Sequence, residues 1–84
     1  MEHKSDISYP GGFEQLVIDL GNLKYDSLQK FLDLLSVKIG EDSKADLERK
    51  RKRLSKTLRI TSNLLKVSAL QIKEAWKISE PHMK

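Results

Sequence analysis

Eighty-four residues, 38% hydrophobic and 33% charged, suit one small folded domain and exclude a disordered polyelectrolyte. There is no cysteine, so neither disulfides nor thiolate metal sites can supplement a thin core, and helix packing or self-association must do so. The net charge of +4 divides unevenly: residues 1–47 carry five Lys and nine Asp/Glu (−4), residues 48–84 eleven Lys/Arg and three Glu (+8).

Residues 1–10 read as a loose arm. Their start, Met1-Glu2-His3-Lys4-Ser5-Asp6, is polar and lacks the apolar region of a signal peptide. Pro10-Gly11-Gly12 breaks the chain before a first helix over 11–21, in which Phe13, Leu16, Val17 and Leu20 fall on one face. Gly21-Asn22 tolerates the left-handed conformation that ends helices. Leu16-Val17-Ile18 could also start a strand, but no second strand pattern exists to pair with it. It is also the longest apolar run, far short of the roughly 20 residues that span a bilayer.

A second helix is expected over 26–39. Asp26 and Gln29 have capping-box spacing, Leu28, Phe31, Leu32, Leu35 and Ile39 form a stripe, and Gly40 supplies a stop. Leu34 and Val37 lie off that stripe, so the helix calls for cover on two sides. Ser43 and Asp46 repeat the capping signal, and no Gly or Pro follows until Pro81. A single long helix over 44–79 is therefore expected, with a tail over 80–84. Along it Leu47, Leu54, Leu58, Leu65, Ala69, Ile72 and Trp76 make a seam toward the first two helices. Ile60, Leu64, Val67 and Ile78 form a second apolar stripe. Lys52, Lys56, Arg59, Lys66, Lys73 and Lys77 form a basic ridge, interrupted by Asn63 and Leu70.

The fold class implied is all-α: one domain over 1–84, with a short N-terminal helix, a second helix and a long C-terminal helix packed as a helical hairpin or three-helix unit. Leftover apolar surface on so small a chain points to a bundle completed by dimerisation.

Candidate chemistry is sparse. His3 and His82 fall in the two loose ends, where nothing would tune or position them. No cluster has metal-ligand spacing, and no phosphate-binding Gly loop of a recognised kind is present. Pro10-Gly11-Gly12 reads as a turn rather than an anion site, and Glu41-Asp42 as favourable charge beside a helix start. A helix-turn-helix over residues 16–31 would present Asp26 and Asp33 to a phosphate-lined groove, an unfavourable arrangement. Trp76, in register with Leu65, Ala69 and Ile72, reads as a packing residue, as do Tyr9 and Tyr25 beside helix starts.

The expectation is thus a non-enzymatic interaction or regulatory protein, cytoplasmic, without catalytic residues, cofactor, metal or small-molecule substrate, and not bound to a membrane. Its partner would be a second copy or another helical protein, met through Ile60, Leu64, Val67, Ile78, Leu34 and Val37. The alternative is a nucleic-acid-binding accessory protein using Arg49, Lys50, Arg51, Lys52, Arg53, Lys56 and Arg59, whose cations would neutralise phosphates. Leu47 and Leu54 bracket the basic run in helical register, which predicts that the helix continues through it.

Overall fold

The computed structural model describes residues 3–82; the ends of the arm and of the tail, residues 1–2 and 83–84, lie outside them. Three α-helices follow one another: α1 (Gly12–Gly21), α2 (Tyr25–Glu48) and α3 (Lys52–Ser79), then a 3-10 turn over Glu80–His82. Among the described residues there is no strand, so the chain is all-α.

The break before α1 is a tight turn in which the Gly12 N–H donates to the Tyr9 carbonyl at 2.8 Å. Gly11 sits there at φ 89°, and a Cβ at that position would lie 2.5 Å from the Gln15 Cβ, so only glycine fits. Gly21-Asn22 ends α1 as expected, but Asn22 stays right-handed at φ −92°. No residue of α1 is buried.

Two of the expected helix boundaries move. α2 does not stop at Gly40; it continues through Ser43 to Glu48, and the long helix begins only at Lys52. The turn between them falls inside the basic run, which is therefore not one continuous helix. Lys50 takes the left-handed conformation at φ 61°. Its N–H reaches the Leu47 carbonyl at 2.9 Å, and that of Arg51 reaches the Asp46 carbonyl at 2.8 Å, the paired bonds of a Schellman motif. Neither capping pair forms. Asp26 accepts from the adjacent Ser27 N–H behind an N-cap at Lys24. Ser43 lies buried in the contact between the helices instead, and Asp46 is buried beside the turn.

Gly40 is not a stop because α3 lies against it: an added Cβ would sit 3.3 Å from the Ser62 Oγ. Serines dominate the line of contact. Ser36 Oγ donates to the Ser62 carbonyl at 3.0 Å, and Ser62 Oγ returns a bond to the Ser36 carbonyl at 2.8 Å. One heptad further along α2, and one back along α3, Ser43 and Ser55 exchange the same pair of bonds at 2.7 Å each. These reciprocal bonds set an antiparallel register. Small side chains let the backbones approach closely, and each hydroxyl is satisfied by a carbonyl of the facing helix.

The seam is thus Ser36, Gly40 and Ser43 against Ser55, Ser62 and Ala69. The expected leucine seam is displaced to its flank. Of its members only Ala69 is buried, at 1% exposure; Leu58, Leu65, Ile72 and Trp76 are half-buried, and Leu47 and Leu54 are exposed. Among the described residues, Ala69 is the only buried hydrophobic side chain.

Candidate interaction surfaces

Helical phase, counted at about 100° per residue from Ser36 and Ser62, divides the hairpin into two faces and two outer edges. On the first face Leu28, Leu32, Leu35 and Ile39 of α2 adjoin Leu54, Leu58, Leu65, Ile72 and Trp76 of α3. None of these is buried. Beside this face, at the hairpin tip, Asp42, Asp46, Arg51 and Leu54 line a small recess with His3 of the arm.

The opposite face is polar. Val37, Gly40 and Lys44 of α2 and Arg59, Asn63 and Lys66 of α3 line a shallow groove of about 310 Å³. The basic ridge of α3 runs along this face, and Lys52, Lys56, Arg59, Lys66, Lys73 and Lys77 are all exposed.

Ile60, Leu64, Val67 and Ile78 do come together, at the outer edge of α3, pointing about 140–200° away from the seam. All four are exposed, Ile60 at 48%, Leu64 at 62% and Ile78 at 72%. Leu34 and Val37 are exposed but do not join them: Leu34 occupies the far edge of α2, and Val37 lines the polar groove. Thr57, Thr61 and Ser68 flank the α3 edge, and each hydroxyl donates to a carbonyl four residues back at 3.0 Å.

The tip residues separate by partner. Arg49 and Arg51 converge on the buried Asp46 carboxylate at 3.6 and 3.5 Å, so two of the five cations in the run serve the turn. Lys50 holds the turn through its backbone. Lys52 and Arg53 open α3, with Lys56 one turn on. The sequence signal missed was the serine heptad Ser36, Ser43 on one helix and Ser55, Ser62 on the next; its regular spacing was legible, but polar residues are not ordinarily counted as core.

At the base, Tyr9 donates to the Asp19 carboxylate, which also accepts from Gln15 Nε2 at 2.9 Å. The Tyr9 hydroxyl bond holds Asp19 below the usual carboxylate range, and the same bond raises Tyr9.

Among the described residues no His, Asp or Glu cluster could hold a metal ion, and no helix is long and apolar enough to cross a membrane. Comparison with protein-family models, curated proteins and solved structures finds no match to the chain.

Proposed function

We propose that this chain is a non-enzymatic interaction or regulatory protein that acts as a self-associating helical hairpin. The observation that carries this reading is the amount of surface left open. The chain exposes 7068 Å². A compact folded chain of 9.7 kDa would expose about 5,100 Å². The difference, roughly 1,900 Å², is more than the ~800 Å² each partner gives to a standard interface. The radius of gyration agrees: 15.4 Å, against about 12 Å for a globular chain of this length.

The contact is assigned to the outer edge of α3. Ile60, Leu64, Val67 and Ile78 sit at alternating four- and three-residue steps, with Gln71 and Glu74 completing the pattern, the spacing by which one helix seats against another. Burying each large side chain contributes about 1.5–3 kcal/mol. An antiparallel two-fold contact here sets the two hairpins edge to edge, with their apolar faces on the same side of the assembly. Leu34 and Val37 lie outside that contact.

The test is the double substitution Leu64→Glu and Val67→Glu, followed by light scattering and circular dichroism. Dissociation of a wild-type dimer with helix content retained supports the reading. A wild-type protein that is monomeric at all concentrations refutes it.

A further inference from the structure

The basic ridge of α3 is a feature that self-association does not use. Lys52, Lys56, Arg59, Lys66, Lys73 and Lys77 lie within about 100° of arc. From Lys52 to Lys77 they cover 26 residues, or roughly 38 Å of helix. Lys77 pairs with Glu74 at 3.5 Å. The other five have no ion-pair partner among the described residues, although Asp26, Asp33, Glu41 and Glu48 of α2 share the face. In contrast, Arg49 and Arg51, the first residues a basic run suggests for anion binding, are engaged with Asp46.

We infer that this ridge is a binding track for the phosphodiester backbone of a nucleic acid. A line of single, unpaired cations on a straight rod matches a polymer of regularly spaced phosphates, and released counterions supply the free energy. The core of a protein–protein interface is depleted in charge and rich in aromatic side chains. Among the described residues this face presents Val37, Leu47 and Leu70 as scattered large apolar side chains and no aromatic one, which favours a nucleic acid over an acidic protein. Five of the six cations are lysines, which meet phosphates as point charges, so binding is largely independent of sequence. The track adjoins the Ile60–Ile78 edge, where Glu74 of that pattern pairs with Lys77, and nucleic-acid affinity tests it apart from oligomeric mass.

The experiment measures affinity of the full chain for a labelled DNA duplex of about 20 base pairs and for a single-stranded RNA of equal length, over about 50–200 mM salt. Lys66→Gln with Lys73→Gln is expected to weaken binding and to flatten the log–log salt slope by about 1.8 for the duplex, two cations at ~0.9 each. Lys66→Arg with Lys73→Arg keeps the charge and retains both affinity and slope. Lys24→Gln with Lys38→Gln removes two charges off the track and leaves the slope unchanged. The two probes show whether duplex or single strand is the better source of the same phosphate chemistry. Absence of binding to both at the lowest salt overturns the inference. So does an equal loss in the Lys24/Lys38 pair, or tighter binding to polyglutamate or to phosphatidylserine vesicles than to either nucleic acid.

Discussion

The seam between α2 and α3 and the outer edge of α3 exchange the roles that composition would give them. The seam is built of serines, a glycine and an alanine, and it is buried; the edge is built of isoleucine, leucine and valine, and it is exposed. Within one helix, then, polar side chains hold the chain to itself and apolar ones face outward. Close backbone approach explains the first half: a hydroxyl that donates to the facing carbonyl loses little on burial, whereas a leucine there would force the helices apart. The second half follows, because apolar residues excluded from a narrow seam are left to flank it or to meet another surface.

Reversing the two regions should give opposite outcomes. Ser62→Leu overpacks the seam and removes the hydroxyl that donates to the Ser36 carbonyl, with an expected cost of about 1–3 kcal/mol from overpacking and a further ~1 kcal/mol for the lost bond. Chemical denaturation of so small a domain reads this as a large loss or as outright unfolding. Leu64→Ser on the edge should leave the stability of the dissociated monomer within about 0.5 kcal/mol of wild type. Equal destabilisation by the two would mean that the edge is internal core.

The turn offers a smaller gain. Lys50 holds a left-handed conformation that costs a non-glycine residue about 1–2 kcal/mol. Lys50→Gly should raise stability by up to about 1 kcal/mol, measured by the denaturation midpoint, since its side chain holds no ion pair among the described residues.

Two helical glycines sharpen the contrast further. A Cβ at Gly21 meets nothing within 4 Å, so Gly21→Ala should stabilise by about 0.5–1 kcal/mol. At Gly40 the same change presses on the Ser62 Oγ, which its bond to the Ser36 carbonyl holds in place, so the helix-propensity gain should vanish or reverse.

Much of this was legible in the sequence, unevenly. Apolar periodicity located all three helices, because Phe13 to Leu20, Leu28 to Ile39 and Leu54 to Trp76 each follow a helical stripe. It also separated Ile60, Leu64, Val67 and Ile78 from that stripe, and they do form one exposed edge. The turn was misplaced because Gly40 and the Ser43–Asp46 pair are local stop and start signals that tertiary packing overrode. Gly40 serves close approach, and Ser43 spends its hydroxyl across the seam rather than on a cap. The true turn carried no glycine or proline to mark it; a lysine adopts the conformation that glycine usually supplies. Leu34 and Val37 were grouped with the edge because helical phase within one helix cannot say how a second helix is rotated against it.

The smallest expected effect lies at the base of α1. The bond from Tyr9 lowers the Asp19 carboxyl and raises the Tyr9 hydroxyl. Whatever stability it gives through Asp19 is present above the ordinary value of 3.8 and is lost as pH falls through the lowered one. Through Tyr9 it is present below 10.0 and is lost as pH rises through the raised one. In Tyr9→Phe an NMR titration should find Asp19 shifted back toward its ordinary value; an unchanged midpoint would remove the bond from the account.

The central claim, that the apolar edge exists to be covered by a second copy, is tested most directly by sedimentation equilibrium of the wild-type chain across a wide concentration range, with thermal melts on the same samples. The account predicts a mass of twice 9.7 kDa that falls toward 9.7 kDa on dilution, and a melting temperature that rises with concentration because association stabilises only the folded chain. A mass of 9.7 kDa throughout, with a melting temperature independent of concentration, would contradict it.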